Sequence, residues 1–117
     1  MYIRSMYSKE LLKGTLSAMI LKLLAENERM YGYEISQHVK ELTGGKIHLK
    51  DGSLYPALQK MTADGLLTYK EEYVGKRVRK YYMLTKKGKT ETAAYISELK
   101  DFIATLNKVV FPQLKTT

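Results

Sequence analysis

A proline within a short helical pattern, closed by an Asp-Gly pair, is the strongest folding signal in the sequence and lies in residues 52–67. The apolar residues here recur at steps of four and three, as on one face of a helix: Leu54, Leu58 and Met61. Because proline lacks a backbone N–H, Pro56 is tolerated best in a first turn, so we predict that the helix begins between Asp51 and Ser53. Either residue can cap it, and Gly65 predicts its end.

Two amphipathic helices are predicted before this segment. The first spans residues 9–27, with Ser8 as its N-cap. Its apolar residues recur at steps of three and four: Leu12, Leu16, Met19, Ile20, Leu23 and Leu24. The second spans about residues 33–43, ends at Gly44-Gly45, and is expected to face the core through Ile35, Val39 and Leu42. Residues 46–50 form a short extended link and a candidate edge strand.

An antiparallel hairpin is predicted after the short helix, with strands at residues 67–74 and 78–84 and a turn at Gly75-Lys76-Arg77. Alternation along the second strand places two pairs of residues on opposite faces: Tyr82 and Leu84, against Arg79 and Tyr81. Strands favour aromatic residues, so structural roles are expected for four tyrosines: Tyr69, Tyr73, Tyr81 and Tyr82.

The last predicted helix opens at Thr85-Lys86-Lys87-Gly88 and is limited by Pro112. Its apolar residues alternate steps of three and four, the heptad pattern of a helix that packs on another helix. We predict that residues 86–112 are a dimerisation helix, whose interface contains Tyr95, Ile96, Leu99, Phe102, Ile103, Leu106 and Val110. The alternative is packing on the first helix of the same chain, and we expect both contacts. Residues 8–85 then form the preceding domain.

Three helices, a hairpin and a long final helix predict a mainly α (α+β) fold, a winged helix-turn-helix in which the hairpin is the wing. The net charge is +8, and residues 46–89 hold eleven Lys or Arg against four Asp or Glu, a local net of +7. Such clustering is typical of a protein that binds a polyanion. From charge alone, a merely solvated basic surface is the alternative.

The outer face of the third helix and the tip of the wing hold the candidate DNA contacts. In this fold the third helix enters the major groove, where we expect it to present Ser53, Tyr55, Pro56, Gln59 and Lys60. The wing adds Lys76, Arg77 and Arg79, which suit the DNA backbone or the minor groove, and Lys50 completes the set. Gln59 suits adenine, and Lys60 suits guanine or a phosphate. A half-buried ring is the alternative for Tyr55, and a solvated side chain for Gln59.

Composition and motifs exclude several classes of protein. There are no cysteines, so disulfides and thiolate metal sites are impossible. The longest uncharged runs, residues 14–21 and 52–59, are far below the roughly 18 to 20 apolar residues of a membrane span. His38 and His48 have no motif partners and are expected to be solvated, and no catalytic motif is present. We therefore expect a cytoplasmic protein that is not an enzyme and uses no cofactor or metal.

Five strings of the sequence occur in a recognisable order: Leu12-Lys13-Gly14-Thr15-Leu16, Tyr31-Gly32-Tyr33-Glu34, Gly52-Ser53-Leu54-Tyr55-Pro56-Ala57-Leu58, Asp64-Gly65-Leu66-Leu67 and Arg79-Lys80-Tyr81-Tyr82-Met83-Leu84-Thr85. Together they resemble the PadR family of bacterial transcriptional regulators, over about residues 11–89. The resemblance implies a repressor that dimerises through its C-terminal helix, binds double-stranded palindromic operators, and is released by a small aromatic or hydrophobic effector. It also implies DNA contacts by residues that match the family motif: Tyr33, Ser53, Tyr55, Pro56, Lys76, Arg77 and Arg79.

The single C-terminal helix resembles a shorter subfamily, some of whose members bind flat drugs at the dimer interface with a tryptophan of the last helix. This sequence has no tryptophan, and Leu99 stands near the place where the resemblance implies one. Two other functions stay open at this point. One is an RNA-binding or nucleoid-associated basic module, and the other is a protein-interaction adaptor with a winged-helix fold. The basic wing favours nucleic acid over the adaptor.

Overall fold

The computed structural model describes residues 6–112, and its element order is three helices, a hairpin and a long helix. The elements are α1 Lys9–Glu26, α2 Gly32–Leu42, α3 Asp51–Ala63, β1 Leu67–Val74, β2 Arg77–Leu84 and α4 Lys86–Val110. The strands form a two-stranded antiparallel sheet, here called the wing. The predicted fold class is therefore confirmed: the protein is mainly helical with a winged helix-turn-helix order.

The core lies where α1, α2 and α3 meet the base of the wing. Four large side chains are almost completely buried there: Ile20, Ile35, Leu54 and Leu58. Each such side chain contributes about 1.5 to 3 kcal/mol relative to an exposed one. Leu67 of β1 and Tyr82 of β2 belong to the same cluster, so the wing is anchored to the helices at its base.

The predicted ends of α1 and α2 agree with the structure to within a residue. The Ser8 hydroxyl accepts a hydrogen bond from the Leu11 amide at 3.4 Å, which caps α1. Leu42, however, is 74% exposed, so its predicted place in the core is wrong. It is the last residue of α2, and the chain turns away directly behind it at Gly44 and Gly45, whose φ angles are 60° and 83°.

The link at residues 46–50 is extended but does not form the predicted edge strand. A strand needs a partner, and the polar groups of the link find other ones. The Ile47 amide donates to the Thr43 hydroxyl at 3.1 Å, and the Leu49 carbonyl accepts from the Ser36 hydroxyl at 3.3 Å. Leu49 is buried, which holds the link against the core without a ladder.

Helix α3 begins at Asp51, within the predicted range, but neither predicted cap residue caps it. Lys50 holds the N-cap position, but its side chain does not cap the helix, and Asp51 and Ser53 lie inside the first turn. Pro56 is the sixth helical residue, so it lies in the second turn and not in the first. Because it has no N–H, the helical hydrogen bond to the Gly52 carbonyl cannot form. Gly65, with φ 81°, follows the C-cap Asp64 as predicted.

The turn of the wing contains two residues, Gly75 and Lys76, because Val74 pairs with Arg77. The predicted three-residue turn is therefore wrong by one position, and Arg77 belongs to β2. Gly75 has a φ of 64°, which suits the first central position of a type II′ hairpin turn. At the base of the wing, Met30 forms an isolated bridge with Tyr82, which ties β2 to the α1–α2 loop.

The start of helix α4 is hydrogen-bonded to the segment between α3 and β1. We call this contact, between residues 64–66 and 85–88, the α4 junction. The Thr85 hydroxyl donates to the Gly65 carbonyl at 2.6 Å and accepts from the Gly88 amide at 3.0 Å. The Lys87 ammonium donates to the Asp64 carbonyl at 2.9 Å. A Cβ at Gly88 would overlap the carbonyl oxygen of Leu66, so only glycine permits this close approach.

Candidate nucleic-acid interface

The outer face of α3 is a flat surface with few long side chains. Leu54, Leu58 and Met61 point into the core, and helical periodicity places four exposed residues on the opposite side: Gly52, Pro56, Gln59 and Ala63. Ser53 and Lys60 are exposed on the flank towards α1 and α4, and the Lys60 ammonium lies 3.3 Å from Asp64. Gln59 therefore stands as the long polar side chain at the centre of this face.

Tyr55 occupies the other flank of α3 and packs on the start of α2. It is 39% exposed, and a Cβ added to Gly32 would lie 2.7 Å from the Tyr55 ring and hydroxyl. Burial raises the pKa of its phenol, and the Asp51 carboxylate raises it further. Tyr55 therefore packs on α2 with part of its ring, while 39% of the residue stays exposed beside the outer face of α3.

The tip of the wing is basic and exposed. Lys76 and Arg77 are exposed at the turn, and Lys80 is exposed further along β2, where its ammonium lies 4.7 Å from the centre of the Tyr69 ring. Lys50 is exposed just before α3. The basic residues of the predicted interface are therefore spread over the start of α3 and the wing.

Arg79 lies within a cluster that the sequence did not predict, here called the arginine–tyrosine cluster and formed by Arg29, Tyr31, Glu72, Arg79 and Tyr81. The Arg79 guanidinium lies 3.9 Å from the centre of the Tyr31 ring and donates to the Tyr81 hydroxyl at 3.4 Å. The Arg29 guanidinium lies 4.2 Å from the centre of the Tyr81 ring and 2.9 Å from the Glu72 carboxylate. The two rings meet edge to face, with centres 5.5 Å apart.

This cluster connects the loop before α2 to both strands of the wing. The hydrogen bond to Glu72 raises the pKa of Arg29, so the guanidinium stays charged. Tyr33, in the first turn of α2, is 61% exposed and stacks on Tyr31 with ring centres 6.4 Å apart. No local signal reveals these contacts, because 43 positions separate Arg29 from Glu72.

Two predictions for side chains of this region need correction. Tyr82 is buried, but Tyr73 is 80% exposed, so the structural role assigned to it is wrong. Among residues 6–112, none covers most of the Tyr73 ring. His38 is exposed as predicted, whereas His48 is half-buried and not solvated, because its link is held against the core by Leu49.

The heptad face of α4 divides into a half-buried part and an exposed part. Tyr95, Ile96 and Leu99 are half-buried, and the Tyr95 hydroxyl reaches the Gly14 carbonyl of α1 at 3.5 Å. The second half of the helix leaves its apolar residues exposed: Phe102, Ile103, Leu106, Val109 and Val110. The packing expected on the first helix of the same chain therefore covers the first half alone.

The described range, residues 6–112, contains no helix whose length and hydropathy would suit a bilayer span.

Sequence comparison gives three matches. The model of the transcriptional regulator PadR-like family matches residues 20–94. The chain is 36% identical over 98 residues to an uncharacterized protein of Lysinibacillus sphaericus, a match that spans 80% of this chain and 83% of that protein. It is 37% identical over 73 residues to the negative transcriptional regulator PadR of Bacillus subtilis strain 168, spanning 62% of this chain and 40% of that protein.

Structural comparison gives similar folds. A transcriptional regulator from Clostridium thermocellum superposes with a TM-score of 0.80 at 26% identity, covering 87% of this chain and 99% of that chain. Bacillus subtilis PadR in complex with operator DNA superposes with a TM-score of 0.63 at 33% identity, covering 69% of this chain and 46% of that chain. This chain thus spans less than half the length of the Bacillus subtilis protein.

Proposed function

The chain belongs to the PadR-like family of transcriptional regulators, and on that basis we propose that it is a repressor that binds palindromic operator DNA as a homodimer. A small aromatic or hydrophobic effector releases it from the operator. The observation that carries this proposal is the exposed outer face of α3 beside a basic wing. The Bacillus subtilis relative is a negative regulator and is bound to operator DNA in its solved structure, which supports the same role here.

In the proposed complex, α3 lies in the major groove with its outer face against the base edges. Gln59 donates to and accepts from one adenine, and Pro56 lets the helix approach closely because its ring is compact. Ser53, Lys50 and Lys60 reach phosphates on either side. Tyr55 and Tyr33 lie at the α2 flank, where their exposed edges contact the backbone.

The wing lies along the neighbouring minor groove. Lys76 and Arg77 at the tip neutralise phosphates or enter the groove. Arg79 contributes from the middle of β2, where its contacts with Tyr31 and Tyr81 hold its charge at a fixed place relative to α2. These cations supply affinity and orientation, while α3 supplies sequence preference.

The exposed half of α4 supports a homodimer. Phe102, Ile103 and Leu106 are 57%, 50% and 43% exposed, and such an apolar surface is stabilised by association with a second copy. The proposed interface contains Tyr95, Ile96, Leu99, Phe102, Ile103, Leu106 and Val110. Two-fold symmetry then presents two α3 helices about 34 Å apart, one turn of DNA, which explains why we propose a palindromic site.

An open cleft of about 250 Å³ between α1, α3 and α4 supports release by an effector. Its lining combines apolar Leu21, Met61 and Leu66 with charged residues that include Lys60. This volume is below the roughly 300 Å³ at which the range of ligand pockets begins, so the cleft admits only a very compact molecule. A ligand seated there would contact Lys60 and so affect the DNA-facing helix. We place the protein in the cytoplasm, together with the operator.

The first test is binding of the full chain to DNA upstream of its own gene, compared with a scrambled duplex and a single-stranded RNA of equal length. We expect selective binding to the upstream duplex, with two chains bound to each site. Equal affinity for all three nucleic acids would contradict a role as an operator-binding repressor.

The second test concerns the wing. Replacing Lys76 and Arg77 together with Ala should weaken binding to every duplex. The slope of log affinity against log salt should fall by roughly 3.6, because each neutralised phosphate contributes about 0.9 and each of the two bound chains loses two cations. A matched control, Lys13→Ala with Lys108→Ala, removes the same charge from exposed sites on α1 and α4. The control should leave the slope unchanged, and an unchanged slope in the wing variant would refute its phosphate contacts.

A further inference from the structure

We propose that Tyr73 and Val78 form an apolar pad at the end of the wing that packs against the deoxyribose rings lining the minor groove of the operator. The pad adds affinity without neutralising a phosphate. This inference rests on the proposed function, because it assumes that the wing meets duplex DNA.

Tyr73 and Val78 are direct cross-strand neighbours in the wing and are both exposed. They pair in the register of β1 and β2, and their side chains are 80% and 48% exposed. Neighbours of this kind have Cβ atoms about 5 Å apart and present one continuous surface. An exposed aromatic ring beside an exposed valine is costly to keep in water and indicates a contact surface.

The pad lies on the face of the wing that is turned towards α3. Side chains alternate along a strand, so Tyr73 shares its face with Tyr69 and Leu67, and Leu67 belongs to the same buried cluster as Leu54 and Leu58 of α3. Tyr82 pairs with Tyr69 across the strands and lies on the same face. The centres of the Tyr69 and Tyr82 rings are 5.7 Å apart. The pad is therefore the distal continuation of the wing's core-facing surface, at the end of the hairpin that carries the basic turn.

The charges around the pad identify nucleic acid as its occupant. Lys76 stands beside it at the turn, while Arg77 lies next to Val78 on the opposite face of the strand. Lys80 lies on the pad's face one pair closer to the core, but it is paired there with Glu71. The positive charge nearest the pad is therefore that of residues 73–79, which hold three cations and no acid. The wall of a minor groove has the complementary pattern, with apolar sugar rings between two rows of phosphates. A stable protein partner needs an interface of about 1,000 Å² or more, which two side chains at a hairpin tip cannot supply.

Apolar and ionic contacts leave different signatures in salt. Loss of an ionic contact weakens binding and lowers the salt slope, because fewer counterions are released. Loss of the Tyr73 ring removes an apolar contact alone, so affinity falls while the slope stays the same. We expect Tyr73→Ala to weaken operator binding about tenfold for each bound chain, and so about a hundredfold for the dimer, in line with the loss of one large buried side chain from each wing.

The experiment measures fluorescence anisotropy of an operator duplex with the full chain, between roughly 50 and 200 mM salt. The variants are Tyr73→Ala, Val78→Ala, Tyr73→Phe, Lys76→Ala and, as a matched control, Leu42→Ala. Leu42 is also an exposed apolar residue, at 74%, but lies at the end of α2. We expect losses for Tyr73→Ala and Val78→Ala at constant slope, near wild-type binding for Tyr73→Phe and Leu42→Ala, and a lower slope for Lys76→Ala.

Hydroxyl-radical footprinting supplies a second readout, because the radical attacks deoxyribose hydrogens directly. Tyr73→Ala should lose protection of the sugars at the outer flank of each half-site and keep the protection given by α3. Wild-type affinity and an unchanged footprint in Tyr73→Ala would overturn the inference, as would a loss accompanied by a lower slope. Absence of selective binding by the wild-type chain would instead overturn the proposed function itself.

Discussion

Gly14 and Gly88 are both helical glycines, but their surroundings differ completely. A Cβ at Gly14 meets nothing within 4 Å, whereas one at Gly88 would overlap the Leu66 carbonyl. Gly14→Ala should therefore raise the free energy of unfolding by about 0.5 to 1 kcal/mol, because alanine favours helix. Gly88→Ala should lower it by roughly 3 kcal/mol, because backbone has to move. Denaturant unfolding of both variants measures these two changes in the free energy of unfolding. Equal denaturation midpoints for the two variants would contradict the close approach of Gly88 to Leu66 at the α4 junction.

The phenol of Tyr82 predicts a loss of stability in alkali. Burial raises its pKa, and the neighbouring phenols of Tyr69 and Tyr55 raise it further. The folded state thus holds the proton more tightly than the unfolded state, whose tyrosine pKa is about 10. The associated stability is complete below pH 10 and is lost as pH rises through the higher folded value.

Tyr82→Phe removes this ionisation, so its free energy of unfolding should fall less steeply above pH 10 than that of the wild type. Tyr73→Phe, at an exposed position, serves as the control and should follow the wild type. Unfolding curves in denaturant at a series of pH values make the comparison. Parallel behaviour of Tyr82→Phe and wild type would show that another group causes the alkaline loss.

Single residues also show where sequence reasoning succeeds. Apolar periodicity identified Ile35, Leu54 and Leu58 as core residues, because burial of one helix face depends on spacing within a few turns. The same periodicity wrongly predicted that Leu42 is buried. Periodicity within one helix contains no information on where the neighbouring helices end. Nor could it reveal that Arg79 stacks on Tyr31, a contact between segments far apart in the chain.

At the scale of elements, the arginine–tyrosine cluster braces the wing against the start of α2. Arg29→Ala removes both the ion pair to Glu72 and the contact with the Tyr81 ring. Because the Arg29 and Glu72 side chains are 41% and 42% exposed, solvent screens the pair, and we expect only a small loss of stability.

A matched control for this prediction is Lys22→Ala. It breaks an ion pair with Glu26 within α1, where both partners are more than half exposed, and should change stability by about 0.5 kcal/mol or less. Hydrogen exchange of the wing amides should accelerate in Arg29→Ala and not in Lys22→Ala. Unchanged exchange in both variants would contradict the bracing role.

The limits of helices and strands were predicted well where the signal is local. The Ser8 cap, the Gly65 stop and the Thr85 start of α4 depend on side chains within a few residues. Residues 46–50 were wrongly predicted as a strand because strand formation depends on a distant partner. Arg77 was wrongly predicted in the turn because residue preferences alone do not fix the turn type. The two-residue turn of the structure pairs Arg77 with Val74 and so places it in β2.

At the scale of the whole molecule, the heptad face of α4 predicts the oligomeric state. Ile103→Lys places a charge on the seam and should convert the dimer to a monomer, with weaker binding to an operator of two half-sites. Thr105→Lys adds the same charge at an exposed position away from the seam and should remain dimeric. Sedimentation or light scattering gives the mass, and an Ile103→Lys variant that stays dimeric would place the interface elsewhere.

The family and the fold were both recognisable from the sequence, and their confirmation also confirms that the chain is not an enzyme, since this is a family of transcriptional regulators. The division into residues 8–85 and 86–112, and the role of each contact residue, stay predictions. The second half of the α4 seam is exposed in the single chain, so the contact that would cover it, and with it the dimerisation role of residues 86–112, is a proposal.

The α4 junction has a mechanical consequence. Hydrogen bonds from Thr85 and Lys87 to the segment at the end of α3, together with the close approach at Gly88, leave no hinge between the two helices. α4 contains 25 residues, about 37 Å, so it acts as a rigid lever arm with the DNA-facing helix fixed at one end. A tilt of a few degrees where two such arms cross changes the distance between the two α3 helices by several ångströms. In the proposed dimer, the crossing angle of the two α4 helices sets the spacing of the operator half-sites, at a place that never touches DNA.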